Sequence, residues 1–414
     1  MASDVLTGTL SNGMRWIAAH DAGAKSVSFS MLTLAGSRCE PQGKRGLAHL
    51  VEHLQFTATQ HYTTSELTEQ IYDYGGSLNA YTTNDMAVYH CKITPANAER
   101  LFAFFSEILF YPLYREEDIE KEKGVVLQEI STRSSNPVAM LAMVLIPQHA
   151  WAGTPAETPV GGNEADIRSI TRADVLRFVA QYYQPANIVL SIAGQLDGLD
   201  IEALFTQYFN YTTHVERAPA IPIALGIIQD KAKQYEIEAG GDDATIAIVF
   251  PYDTLKLSKP ALALLSAHLF DTMTSRLFLK LRTEMGLIYS VSALSSTLRD
   301  VSLFGFVFAT KKEKDNVSRV IEASLAELNE IATNGLNERA LARAKRYVVE
   351  SARLELEDSM TLAAFYGEQL LLTGEVRMYD AERIDAVLAL TNVEVQYTAA
   401  ELFTLSRLNL AVVV

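Results

Sequence analysis

The second half of this chain repeats the pattern of the first, and that repeat limits the fold more than any other feature. The stretch "DVSLFGFVFATKKEKDNVSRVIEASLAELNEI" (300–331) follows the order of "DMAVYHCKITPANAERLFAFFSEIL" (85–109): an aspartate, a strand, a short polar turn, then an amphipathic helix. Likewise "NERALARAKRYVVESARLEL" (337–356) tracks "REEDIEKEKGVVLQEISTR" (115–133). Self-similarity over roughly 200 residues means two copies of one structural plan. The order of strands and helices predicts an α+β fold of two similar units, each an antiparallel sheet backed by helices. The units are expected at 1–215 and 230–414, joined by 210–234, where Pro219 and Pro222 stand among small residues. With 414 residues, 49% of them hydrophobic, the chain can bury a core in each unit.

Local signals place the elements of the first half. "MASDVLTGTLSNGMRWIAAHD" reads as a hairpin turning at Asn12-Gly13. "SVSFSMLTLAG" (26–36) alternates as a strand, and Pro41 and Gly43 mark a loop before a helix at "LAHLVEHLQF" (47–56). A second helix in "TTSELTEQIYDYGG" is expected to be capped by Thr64 or Ser65 and to stop at Gly75-Gly76. Two strands, "SLNAYTT" and "MAVYHCKI", meet at Asn84-Asp85. Helices follow at 95–109, opened by Pro95, and at 116–132, opened by Glu116, Glu117 and Asp118. "DVLRFVAQYYQPANIVLSIAG" supplies another helix and a buried strand.

The helix at 47–56 carries His49, Glu52 and His53. Residues three and four apart share a helix face, so the two histidines can hold one ion about 6 Å along the axis, with Glu52 beside it. With 8 histidines and 50 acids in 414 positions, chance gives roughly 0.02 occurrences of H-x-x-[DE]-H, which favours metal binding over coincidence. Zinc takes two histidines and a carboxylate with one position open, and H-x-x-E-H is the inverted counterpart of H-E-x-x-H. A third ligand must come from elsewhere. The helix "EKEKGVVLQEI" offers Glu122 and Glu129, two turns apart on one face with Val125, Val126 and Leu127 packing nearby, so one can ligate while the other supports it. The repeat fails at these positions: Ala344 and Ser351 stand where the first half has Glu122 and Glu129, and "LLSAHLFDTMTSRLF" has one histidine and no glutamate. Any metal site therefore belongs to the first half alone.

Composition narrows the partners. The 35 basic and 50 acidic residues give a formal charge of −15, which repels phosphate backbones and anionic lipid, so no nucleic-acid partner is expected. Cys39 and Cys91 are too few for a disulfide framework or a thiolate zinc site and suit a reducing compartment. No run approaches the roughly 18 apolar residues of a membrane span. The first residues lack a basic segment followed by an apolar core, so a cytoplasmic location is expected, with a periplasmic or organellar mature form as the alternative.

The run "RGLAHLVEHLQFTAT…GGSLNAYTTNDMAVYHCKI…EKEKGVVLQEI" resembles the N-terminal unit of the pitrilysin/insulinase family of zinc metallopeptidases, the inverzincins, to which mitochondrial processing peptidase also belongs. The resemblance extends from "GTLSNGMRWI" to "LARAKRYVVES". In that family the ligand glutamate follows the second histidine by about 76 residues, and here 129 − 53 = 76, so the resemblance implies one Zn2+ per chain on His49, His53 and Glu129. It implies Glu52 as general base and Glu122 as an auxiliary acid. "GGSLNAYT" is similar to an exposed strand onto which peptide substrate adds, which assigns Asn79 and Ala80 to substrate binding. "TSRLFLKLRTEMGLIYSVSA" is similar to a motif whose arginine and tyrosine hold the substrate backbone, falling on Arg282 and Tyr289. One departure is Thr57-Ala58-Thr59 after Phe56, where the family commonly has Lys-Gly-Thr. Large relatives carry four units forming a closed chamber; two units imply half a clamshell, completed as a homodimer or as a heterodimer with a related subunit. The expected function is hydrolysis of oligopeptides or unfolded segments, the alternatives being a subunit active only beside a sister chain or a non-catalytic scaffold.

Overall fold

The computed structural model describes residues 4–211, 231–238 and 242–414. Most of the expected joint, with Pro219 and Pro222, lies outside the described residues.

The first sheet consists of β1 (Asp4–Thr9), β2 (Arg15–His20), β3 (Val27–Thr33), β4 (Ser77–Thr82), β5 (Ala87–Ile93) and β6 (Ile188–Gly194) in the order β1-β2-β6-β3-β5-β4. The second consists of β7 (Lys233–Ile237), β8 (Asp243–Asp253), β9 (Ile288–Thr297), β10 (Val301–Lys311) and β11 (Asn409–Val413) in the order β7-β11-β8-β10-β9. Without β1 the two orders coincide strand for strand. The repeat read from the sequence is a repeat of topology. Both sheets are antiparallel except at one junction, and it is the same junction: β6 lies parallel to β2, and β11 parallel to β7. Parallel neighbours need a long crossover, and in each half the last strand returns only after several helices.

Helices α1 (Leu47–Leu54), α2 (Thr64–Tyr72), α3 (Glu99–Phe110) and α4 (Glu116–Ser134) follow the expected order. The cap of α2 is Thr63, not the expected Thr64 or Ser65 one and two residues further on. Glu66 decides this, because it stands where its carboxylate accepts the Thr63 N–H at 2.9 Å while its own N–H donates to the Thr63 hydroxyl at 3.3 Å. Pro95 opens a short 3-10 turn, Pro95–Asn97, ahead of α3.

The alternation of β3 explains how both sheet faces are covered. Val27, Phe29 and Met31 point into the core under α1 and α3, where Phe29 stacks on Phe105 at 4.6 Å between ring centroids. Ser28, Ser30 and Leu32 point the other way, making with Ser191 of β6 a face of mostly small side chains. The helix Ser359–Thr373, from the second half of the sequence, lies against that face. Its Ser359 hydroxyl is 2.7 Å from that of Ser28 and 2.9 Å from that of Ser26, and Arg15 Nη1 donates to the Leu370 carbonyl at 2.7 Å. In return, Leu141, Ile146 and Trp151 from the first half pack with Ala247, Val249, Leu303 and Val307 of the second sheet. The compact units therefore draw on both halves: one comprises Met1–Ser131, Val160–Pro222 and Arg353–Tyr379, the other Thr132–Pro159, Ile223–Ala352 and Asp380–Val414.

The exchange depends on close approach. A Cβ on Gly367 would stand 2.5 Å from Leu32 Cδ1 and 3.0 Å from Ser191 Cβ. Gly367→Val should therefore lower unfolding free energy by about 1–3 kcal/mol through overpacking, measured as a reduced urea midpoint.

Candidate metal centre

The helix carrying the histidines is fixed at both ends. Its N-cap, Gly46, has φ +93°, and a Cβ there would lie 2.8 Å from the Gly161 carbonyl oxygen, so both backbone and space require glycine. No side chain within the first turn caps it. Glu40, buried, does so from outside: Oε2 accepts the Gly46 N–H at 3.0 Å and Oε1 the Ala48 N–H at 2.8 Å. Burial pushes the Glu40 carboxyl up to about 8 against the pull of those N–H groups and of Arg45. At the other end the Thr57 hydroxyl donates to the Leu54 carbonyl at 2.7 Å, and the Leu113 N–H reaches the Ala58 carbonyl at 3.2 Å. The departure at Thr57-Ala58-Thr59 is thus accommodated by a hydroxyl closing the last turn of α1.

Leu47, Leu50, Val51 and Leu54 bury one face of α1 in the core, which leaves His49 and His53 together on the opposite side. Their Nε2 atoms are 3.3 Å apart. Glu129 from α4 brings Oε2 to 3.6 Å from His49 Nε2 and Oε1 to 3.8 Å from His53 Nε2. Ligands about 2.05 Å from one ion at a tetrahedral angle stand roughly 3.3 Å apart, so the set fits a zinc ion with little adjustment. Among the described residues these three form the one group whose ligand atoms all fall within 4.8 Å of one another.

Glu122, one side of α4 with Glu129, brings Oε2 to 3.3 Å from His53 Nδ1, and its side chain is 15% exposed against 48% for Glu129. A carboxylate on the far nitrogen fixes the ring so that Nε2 faces the ligand set. Burial would lower the His53 pKa, but the Glu122 hydrogen bond and the charges of Glu129 and Glu52 outweigh it, and the net shift is upward. Three carboxylates around two imidazoles make a site that favours positive charge. Of the apolar residues on α4, Val126 is fully buried and Leu127 packs against the core, whereas Val125 is exposed, a correction to its expected packing.

Glu52 is not in the ligand group. It is 7% exposed, and Thr82 donates its hydroxyl to Oε2 at 2.5 Å. Burial raises its pKa, opposed by the Thr82 hydrogen bond and by His53. Asn79 and Ala80 lie on β4, which pairs with β5 on one side and is the edge of its sheet. The Ala80 N–H is engaged by Asn79 Oδ1 at 2.9 Å, a contact that a strand adding to this edge would displace. Arg282 and Tyr289 belong to the other unit. Arg282 donates to the Ile288 carbonyl at 2.9 Å, and its guanidinium carbon lies 6.0 Å from the centre of the Tyr289 ring at the start of the edge strand β9.

Sequence reasoning missed Thr82 and Glu40. Period-two alternation along "SLNAYTT" puts Thr82 on the face shared by Leu78 and Ala80, a usable signal; nothing local marks Glu40 as the cap of a helix that begins seven residues later.

Two family descriptions match: "Insulinase (Peptidase family M16)" over residues 15–164 and "Peptidase M16 inactive domain" over residues 169–348. The chain belongs to the insulinase, or M16, peptidase family. An uncharacterized zinc protease of Rickettsia bellii is 27% identical over 360 residues, covering 86% of this chain and 82% of the relative. The mitochondrial-processing peptidase subunit beta of Bos taurus is 25% identical over 394 residues, covering 91% and 78%. The crystal structure of a protease from Helicobacter pylori shares the fold over 100% of both chains, with a TM-score of 0.90 at 22% identity. The second match agrees with the loss of the histidine–glutamate set from the second half.

Glu40 gives a test of how α1 is held. An acid raised from 4.5 to about 8 binds more protons in the native than in the unfolded state between those values, so its stabilisation is complete below 4.5 and lost as pH climbs to about 8. Urea midpoints should fall across that window in the parent chain more steeply than in Glu40→Gln.

Proposed function

We propose that the chain is a zinc-dependent endopeptidase hydrolysing oligopeptides or unfolded segments. The observation that carries the reading is the spacing of His49, His53 and Glu129, with Nε2 atoms 3.3 Å apart and carboxylate oxygens at 3.6 and 3.8 Å, beside a buried, hydrogen-bonded Glu52. Relatives named zinc proteases support the metal and the activity class. A zinc ion bound by those three residues would supply Lewis acidity to the scissile carbonyl and to water at neutral pH. Glu52, with Oε2 fixed by Thr82, keeps Oε1 to take the proton of the attacking water and hand it to the leaving amine. Glu122 holds the His53 ring, and the edge of β4 at Asn79 and Ala80 aligns the peptide as an added strand. The remaining Arg282 donors and the Tyr289 hydroxyl are assigned to substrate carbonyls. Among the described residues no helix is long and apolar enough to cross a membrane.

Purified chain should contain one zinc and cleave a quenched peptide. Glu52→Gln should retain the metal and lose turnover, Glu129→Gln should lose the metal, and Glu122→Gln should weaken zinc binding about 10–100-fold. Thr82→Val should keep zinc and lower kcat, with Thr82→Ser restoring it. A Glu52→Gln chain retaining more than a few per cent of activity would remove the general base from this account.

The working form is read as a dimer, of identical chains or with a related subunit, the second supported by a relative named as a subunit of a peptidase. In an isologous dimer the Arg282 and Tyr289 of one chain would serve the zinc of the other. Mixing inactive Glu52→Gln with inactive Arg282→Ala/Tyr289→Phe under subunit exchange should then restore about one quarter of parental activity, since half of the dimers are mixed and one site in each is intact. Absence of recovery despite verified exchange would place the clamp within its own chain or the partner in another protein.

A further inference from the structure

The unit that carries the histidine–glutamate cluster also has a cavity of about 510 Å3 lined by other residues. That is within the usual range of ligand clefts, about 300–1,000 Å3. Helix α3 forms its floor. Arg100, Ala103, Phe104 and Glu107 recur at the three- and four-residue spacing of one helix face. Arg100 and Glu107 are thus two turns, about 10.5 Å, apart along the axis, with opposite charges at the two ends. Between them Ala103, small and exposed, leaves a trough.

Both charged groups are held in place. The Arg100 guanidinium lies 3.4 Å from the centre of the Tyr74 ring and Nε donates to Asn97 Oδ1 at 3.3 Å; among the described residues it has no acidic partner. Glu107 is buried, with its two oxygens 3.1 and 3.0 Å from His61 Nδ1. Three lining tyrosines have their hydroxyls already engaged: Tyr208 donates to Glu99 at 3.0 Å, and Tyr111 donates to Tyr211. The cavity is therefore lined by tyrosines together with a held cation and a held anion.

We propose that this cavity binds a short zwitterionic peptide of about three residues, its α-carboxylate on Arg100, its α-ammonium on Glu107 and an apolar side chain among the tyrosine rings. The length is matched to the axial separation of Arg100 and Glu107 on the helix, about 10.5 Å, which three extended residues of about 3.3–3.6 Å each cover. A guanidinium stacked on an aromatic ring with its outer donors unused presents the fork that a carboxylate fits. A carboxylate has about four acceptor positions, so Glu107 can serve His61 and an ammonium together. A single amino acid holds its two charges within one residue length, well below that axial separation, and an internal segment of a longer chain lacks the terminal charges.

Calorimetric titration of the full-length Glu52→Gln chain with Ala-Phe-Ala, its N-acetyl form, its C-terminal amide and free phenylalanine tests this. Use of that variant keeps the probe intact if the chain is a peptidase and changes nothing if it is not. The free tripeptide should bind at one per chain, and blocking either end should weaken binding roughly ten-fold or more. Arg100→Gln should make acid and amide bind alike, and Ala103→Trp should abolish binding; both replace half-exposed or exposed residues, so folding is preserved. Adding His49→Ala and His53→Ala should leave binding intact. Binding absent at millimolar peptide, insensitive to Arg100→Gln and Ala103→Trp, or lost with the histidines would overturn the proposal, the last by placing the peptide at the metal cluster.

Discussion

Burial of both faces of both sheets is the constraint on which the architecture depends. Each half of the sequence supplies a five-strand core sheet in the same order and enough helix for one face, while the other face is covered by a helical segment from the opposite half. The faces that receive these segments are built for close approach. Serines 28, 30 and 191 accept Gly367 and Ser359 on the first sheet, and Ala247 and Ala411 flank the apolar side chains that meet Trp151 on the second. Without the other's segment each sheet would leave one face uncovered, so neither half is complete as a folding unit alone.

That scaffold is what makes the histidine–glutamate cluster geometrically definite. The apolar side of α1 is locked to the sheet by Leu50, Val51 and Leu54, its first turn is tied to Glu40, and its last turn to Thr57. The remaining side of α1 then meets α4, and because 122 and 129 are two turns apart, one carboxylate meets the outer nitrogen of His53 while the other meets both inner nitrogens. Thr82 ties the same cluster to the sheet edge through its hydrogen bond to Glu52, so Glu52 is anchored to β4.

Much of this was legible in the sequence, for reasons that differ between levels. The repeat was readable because strand and helix periodicities are local, and the same order returns in both sheets. The histidine pair was readable because helical spacing fixes its geometry without tertiary information, and the seven-residue spacing of Glu122 and Glu129 likewise. Choice between those two glutamates needed the family resemblance, since both face the same way on α4. The exchange of helices was not readable: Ser359–Thr373 is apolar almost all round, and nothing local says which sheet buries it. Glu40 escaped for the same reason, its role being a long-range hydrogen bond from a loop. The cap falls at Thr63 and not at the expected Thr64 or Ser65; Glu66, three positions on, is the signal in the sequence that settles it.

The second unit shows what the shared plan becomes without the acid cluster. Its helix Lys259–Leu269 carries one histidine, His268, and the surrounding charges are reversed: burial first, then Arg343 and Arg276, push its pKa down to about 4, with Glu327 opposing. Glu327 is itself paired with Arg276 at 2.7 Å, so its carboxylate is spent on a guanidinium. On α4 the corresponding helix face offers Glu122 and Glu129; on Glu338–Glu355 it offers Ala344 and Ser351. Around His53 burial is outweighed by the carboxylates of Glu122, Glu129 and Glu52, which raise its pKa, whereas around His268 burial leads and Arg343 and Arg276 add to it. The two copies of one topology therefore differ in the charge and ligand types placed around a helix face, with the backbone plan unchanged.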